Sequence, residues 1–179
     1  MRLFIAIPIP ETVKQRLAEL QQSMEGVRWQ SKEQIHLTLK FLGETEPDRV
    51  EQLKERLSEV RHPVFSLIIK GLGFFSRGSK PRVLWAGIVN NDRLDGLHNK
   101  IEKICTSMGF KAEVRPFKPH ITLARLKGIS KRKVTSFIDQ HKQFQLPKVQ
   151  IHEFALYESK LDSEGAVHHR LKTIKLGNN

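Results

Sequence analysis

Two stretches of the chain repeat one phrase: residues 36–42 read HLTLKFL and residues 120–126 read HITLARL. The two histidines stand 84 positions apart (120 − 36). Side chains alternate along a strand, so His36 and Thr38 share one face while Leu37 and Leu39 share the other. The same parity groups His120 with Thr122, and Ile121 with Leu123. The apolar pairs anchor each strand on its helices. The polar pairs then face away from those helices, and two such faces brought together line a single cleft.

Two imidazoles in one cleft suit acid–base chemistry, because a pKa near 6.5 lets one ring be neutral and the other protonated around neutral pH. Threonine hydroxyls two residues on can hydrogen-bond an oxyanion without adding a competing charge. A phosphate is the plausible anion, and an in-line displacement at phosphorus follows from these parts. Arg125, at the end of the second phrase, could make a bidentate phosphate contact. Strict alternation, however, puts Arg125 on the leucine side and Lys40 on the histidine side. Either the second strand twists or ends before Arg125, or Lys40 is the better phosphate contact. A single such phrase is equally well read as a satisfied buried histidine beside a hydroxyl. From this composition a match is expected only about 0.03 times, so two copies favour a site.

The charge distribution points the same way. The net charge is +12, and residues 111–148 hold ten Lys/Arg against two Asp/Glu, while residues 1–60 hold nine against ten. Such asymmetry attracts a polyanion to one side of the molecule. The composition is that of an ordinary soluble globular protein, with 39% hydrophobic and 28% charged residues. The early apolar run from Leu3 to Pro10 is too short to span a bilayer and lacks a signal-peptide cleavage site, so no membrane association is expected. The one cysteine, Cys105, cannot form an internal disulfide, which fits a cytoplasmic protein.

The elements that must position the phrases are legible as period-2 and period-3.6 patterns. Strands are expected over 2–7, 35–43, 64–75, 82–89, 120–126, 148–159 and 167–176, and helices over 11–24, 48–60, 93–108 and 130–144, the last with Ser130 as N-cap. The order β-α-β-α-β-β-α-β-α-β-β argues an α+β fold with antiparallel sheets and helices on their outer faces. No linker divides the chain. Phrase plus following helix occurs at 35–60 and again at 120–144, which hints at two related lobes.

HLTLKFLG and PHITLAR resemble the paired His-x-Thr motifs of the 2H phosphoesterase superfamily. RLFIAI, RWQSKEQIHLTLKFLGE, PRVLWAG and LYESKLDSEGAVH narrow the resemblance to the RNA 2′,3′-cyclic phosphodiesterases, also called 2′-5′ RNA ligases, over nearly the whole chain. The resemblance implies one domain over 1–179 built of two intertwined lobes, a bilobal pseudo-twofold fold with two antiparallel sheets flanked by helices and the cleft between them. It implies no metal or other cofactor, and an RNA substrate, tRNA fragments among the candidates, whose 2′,3′-cyclic phosphate is opened to a 2′-phosphate. Carried over, His36 is the proton donor for the leaving O3′ and His120 the acceptor that activates water. Thr38, Thr122 and Arg125 hold the phosphate. Ligation would be the reverse reaction, with an RNA 5′-hydroxyl in place of water. A monomer is expected. The rivals are a cyclic phosphodiesterase of small nucleotides and a non-catalytic RNA-binding module.

Other signals are weaker. Phe75 could stack a base or end a strand in the core; Phe4 and Trp85 are assigned to the core. Arg77, Lys80 and Arg82 form a basic turn that serves equally as an RNA contact or an ordinary hairpin surface. GFFSRGSK resembles a phosphate loop only superficially, since its Lys and Ser stand in the wrong order. His168 and His169 are adjacent and make a poor ligand pair, and neither His-Thr phrase holds the Cys or carboxylate that zinc would need. His62, His98, His141 and His152 are read as surface or structural, and Cys105 as packed.

Overall fold

The run LFIAI has no alternation because its strand is covered on both faces. A computed structural model describes residues 1–163 and 165–177, and in it β1 (Arg2–Pro8) is buried from Leu3 through Ile7. Leu3, Ile5 and Ile7 join the main core, while Phe4 and Ala6 form a second small cluster with Ala155 and Tyr157.

Around β1 the chain adds α1 (Glu11–Ala18), β2 (Val27–Trp29), a 3-10 turn (Lys32–Gln34), β3 (His36–Glu44), α2 (Pro47–Ser58), β4 (Phe65–Leu67), β5 (Ile69–Arg77), β6 (Lys80–Ile88), α3 (Asp92–Ser107), β7 (His120–Leu126), α4 (Lys131–Gln140), β8 (Val149–Ile151), β9 (Glu153–Asp162) and β10 (Gly165–Lys175). The main sheet has eight strands in the order β10-β9-β1-β3-β7-β6-β5, with β2 pairing β7 off that path; β4 and β8 form a small sheet of their own. The named pairs are antiparallel. The expected α+β class, with antiparallel sheets and flanking helices, is what the chain adopts.

The two halves, β10-β9-β1-β3 and β7-β6-β5, meet where Leu37 pairs with Ile121. These are the same position of the two phrases. Running the antiparallel register outward from that pair sets His36 towards Thr122 and Thr38 towards His120. A local twofold axis therefore passes between the phrases. Leu17 of α1, Leu53 of α2, Leu97 of α3 and Phe137 of α4 all belong to one buried cluster that also takes in both phrases' apolar residues.

Several elements depart from the pattern-based boundaries. The run 64–75 splits at Ile68 into β4 and β5, and 148–159 splits at His152 into β8 and β9, because β4 and β8 leave the main sheet to pair with each other. α1 stops at Ala18 rather than Met24; beyond it the Gln22 carbonyl accepts a hydrogen bond from the Trp29 indole at 2.8 Å. α4 stops at Gln140 because the next segment turns to the edge of β5, where the Gly71 amide donates to the Phe144 carbonyl and the Leu146 amide to the Ile69 carbonyl. Ser130 does cap α4, accepting from the Lys133 amide at 3.3 Å. Cys105 is fully buried on α3, as its helical spacing predicts, and burial pushes its thiol up to about 12. Among the described residues no helix is long and apolar enough to cross a membrane.

Candidate active site

The same irregularity occurs at the same place in both phrases. In β3, Ala6 pairs with Thr38 and Ile5 with Lys40, so Leu39 is an extra residue against β1. In β7, Trp85 pairs with Thr122 and Leu84 with Ala124, so Leu123 is extra against β6. Each is a β-bulge, and a bulge inverts the side-chain parity of everything after it. Leu39 and Lys40 are consequently both buried, as are Leu123 and Ala124, while Phe41 and Arg125 emerge exposed.

The bulges give Lys40 and Arg125 opposite faces of their strands. Arg125 lies on the histidine side, in a cleft of about 550 Å³ whose lining also includes His36, Thr38, His120, Thr122 and Phe75. Lys40 does not line that cleft, against the strict alternation that put it on the histidine side, and lines the adjoining cavity instead. Its ammonium group is turned towards α3, where it donates to Glu102 Oε2 at 2.7 Å and to the Lys111 carbonyl at 3.0 Å. Burial works to raise the Glu102 carboxyl, but the hydrogen bonds from Lys40 and the Glu113 backbone amide hold it below its usual range. The lysine on the strand is a buried ion pair.

The two histidines are seated alike. His120 Nδ1 lies 2.7 Å from the Lys118 carbonyl, and the Gln34 backbone acts on His36 to favour its protonated form, in each case from two residues upstream. A carbonyl only accepts, so Nδ1 of neutral His120 carries the proton and Nε2 keeps its lone pair. Aromatic rings wall both imidazoles. His120 meets Phe75 edge-on at 4.8 Å between centroids, with Trp85 at 6.3 Å. His36 lies 4.8 Å from Phe4. Gly73 is what lets Trp85 lie across β5, since a Cβ there would sit 2.2 Å from the indole.

Burial lowers the pKa of both rings. His36 falls to about 3, through burial first and the neighbouring His168 second. For His120, burial and the positive Lys118 and Arg125 side chains together outweigh the favourable contact with the Lys118 carbonyl. Both rings are therefore neutral at pH 7 in the free protein, and a bound anion is what would favour the imidazolium.

The strand pattern did not reveal the rest of the lining. Arg2, Arg28 and Arg115 join Arg125, and no Asp or Glu is present among the described lining residues, so the cleft is strongly cationic. Arg28 comes from β2, whose three residues are too few to show alternation; it sits opposite Arg125 in the ladder. His168, on β10, meets His36 at 5.2 Å with the rings at 84°. Its Nδ1 is buried without a hydrogen-bond partner. His169, the next residue along that strand, does not line the cleft. The basic turn Arg77, Lys80 and Arg82 also lies outside the lining.

Replacing His168 with phenylalanine should raise the pKa of His36 toward 6.5, since the ring that replaces the imidazole keeps the packing and removes a repelling positive charge. NMR titration of the imidazole ring protons would read it; an unchanged or lower His36 pKa would show that burial alone depresses that histidine.

A family model described as LigT like Phosphoesterase matches residues 7–85 and 87–168, each stretch containing one of the two phrases. The chain belongs to the LigT-like phosphoesterase family. Relatives named RNA 2′,3′-cyclic phosphodiesterase include one from Thermotoga maritima, 36% identical and covering 94% of this chain and 91% of its own. Another, from Methanocaldococcus jannaschii, is 34% identical and covers 96% of this chain and 99% of its own. Among solved structures, TT0787 of Thermus thermophilus superposes with a TM-score of 0.82 at 27% identity, each chain covered in full. Escherichia coli LigT complexed with 3′-AMP gives 0.80 at 27% identity, covering 99% of this chain and 98% of that one.

Proposed function

We propose that the protein hydrolyses RNA 2′,3′-cyclic phosphate ends to 2′-phosphates by metal-independent two-histidine catalysis in this cleft, as a single domain of two intertwined lobes. The observation that carries the reading is two His-Thr pairs around one cationic cleft, with Arg125 turned into it by the bulge at Leu123, in a chain of this family. Four arginines suit a polyanion better than a small, singly charged ester, which favours RNA over the small-nucleotide alternative. The paired imidazoles favour chemistry over binding alone, for which further Arg or Lys would serve better.

Water enters opposite O3′ of the cyclic phosphate. His120 Nε2 takes a proton from the water as its oxygen bonds to phosphorus. The P–O3′ bond breaks, and His36 gives its proton to O3′, leaving a 3′-hydroxyl and a 2′-phosphate. Proton count is conserved: His120 ends protonated and His36 neutral, and solvent resets both. Thr38, Thr122 and Arg125 hold the non-bridging oxygens, where Arg125 can donate two parallel hydrogen bonds. The Lys118 carbonyl supports His120 as the base, because it keeps the proton on Nδ1 and aims Nε2 outward. The acid role of His36 is carried by the family resemblance, and the anionic phosphate supplies the charge that lets so depressed an imidazole hold a proton. Phe75 braces His120 and walls the substrate side of the cleft. With an RNA 5′-hydroxyl in place of water, the same proton transfers form a 2′-5′ linkage.

An RNA ending in a 2′,3′-cyclic phosphate, incubated with the protein in EDTA, should yield the 2′-phosphate. A 3′-phosphate product, turnover only on adding a divalent metal, or no turnover would overturn the proposal.

A further inference from the structure

The proton on His120 is placed by one carbonyl, that of Lys118, which lies 2.7 Å from Nδ1. That carbonyl stands near the end of residues 111–119, which form neither helix nor strand, and residues 111–116 of the stretch are all exposed. A segment so exposed has too little packing of its own to hold a carbonyl at the precision a proton transfer needs. Its position is set by the elements that grip it.

α3 and β3 supply that grip. Glu102 Oε1 accepts from the Glu113 amide at 3.0 Å, and its Oε2 accepts from Lys40 Nζ at 2.7 Å. Lys40 in turn donates to the Lys111 carbonyl at 3.0 Å. The pair thus holds the segment at two backbone atoms, one a donor and one an acceptor. One turn earlier on α3, His98 stacks on Phe117, with ring centroids 3.9 Å apart and planes at 8°. On the other side the Lys118 ammonium lies 5.2 Å from the Trp85 ring, a contact at the end of a flexible stem that does not fix the main chain.

The two phrases differ here. Lys40 is the fourth residue after His36, and the fourth after His120 is Ala124, which has no polar group to reach with. The residue two before His36 is held by other means: the Gln34 side chain donates to the Ala166 carbonyl at 2.8 Å and accepts from the Ser31 amide at 3.1 Å. The lysine of the first phrase therefore serves the segment that leads into the second.

Resting on the function proposed above, we infer that Lys40 and Glu102 are positioning residues for the reaction: they strap residues 111–118 to α3, so that the Lys118 carbonyl keeps the proton of His120 on Nδ1 and leaves Nε2 to the attacking water. Neither residue lines the cleft. The pair acts through backbone geometry, so its loss frees the segment and with it the choice of which ring nitrogen carries the proton. His98 assists by fixing Phe117, the residue next to Lys118.

The double variant Lys40→Met, Glu102→Leu removes both backbone anchors and leaves no unpaired charge behind, so it should fold. NMR of the imidazole nitrogens should show His120 as the Nδ1–H tautomer in the unmodified protein and as a mixture with Nε2–H in the double variant. Its kcat on a cyclic-phosphate RNA should fall about 10- to 100-fold, while inorganic phosphate binds with unchanged Kd. His98→Ala, which leaves the charge pair intact, should move the tautomer in the same direction by a smaller amount, and His98→Phe should restore it because the stack survives. An unshifted tautomer in the double variant overturns the inference even if kcat falls, since the loss then does not run through His120. Unchanged kcat in the double variant of an active protein overturns it as well. If the double variant does not fold, an unshifted tautomer in His98→Ala is the overturning result. The tautomer is read without turnover, so a shift as expected in a protein whose unmodified form fails to open the cyclic phosphate would sink the proposed reaction and leave the strap standing.

Discussion

His120→Ala should lower kcat on a cyclic-phosphate RNA by about 10²–10⁴-fold, and His36→Ala by the same order, because each removes one positioned proton donor or acceptor. The loss should fall on kcat rather than KM. Thr38, Thr122 and Arg125 remain to bind the phosphate in either variant, so ground-state affinity survives while the proton transfers do not. Both rings line the cleft and are only half-buried. Both variants should therefore fold, with circular dichroism and melting close to the unmodified protein. The double variant should be hardly worse than either single one, since two groups that act in one step do not contribute independently. Wild-type kcat in either single variant would remove that histidine from the reaction.

Lys40→Ala should do the reverse: cost stability and leave phosphate affinity alone. The Lys40 side chain is 3% exposed and Glu102 20% exposed, and removing the ammonium strands a carboxylate that burial already disfavours. Breaking such a pair costs about 3–5 kcal/mol, and the partial exposure of Glu102 places this one near the lower end. At roughly 2–4 °C per kcal/mol for a chain of this size, the melting temperature should drop by about 6–12 °C. Replacing both partners, Lys40→Met with Glu102→Leu, should recover much of the loss, because no unpaired charge is left behind. Phosphate should bind the folded Lys40→Ala variant with unchanged Kd, whereas Arg125→Ala should weaken it. A stable Lys40→Ala protein with poor phosphate binding would return the lysine to the phosphate site.

The contrast between these residues shows how far one-dimensional pattern carries. Alternation correctly put His36 with Thr38 and His120 with Thr122, since nothing interrupts the strands over those three positions. It failed two residues later in both phrases. A bulge is two residues facing one on the neighbouring strand, so it exists only relative to β1 or β6, and no property of LTLK or LAR by itself announces it. The same applies to the short strands. β2 is held by β7, and β4 by β8, so their existence depends on partners roughly 80–100 residues away in sequence.

The available chemistry is legible in residue type and spacing: two imidazoles, two hydroxyls, their repetition at one spacing, an apolar frame of alternating strands and amphipathic helices, and a basic half to attract a polyanion. Those are properties of residue type and local period, which every strand or helix expresses wherever it is placed. Parity after a bulge is set by the neighbouring strand, so the fold and not the spacing turns Arg125 into the cleft and Lys40 towards Glu102. The tertiary structure alone brought Arg2, Arg28, Arg115 and His168 to the cleft from separate elements, through strand order rather than spacing.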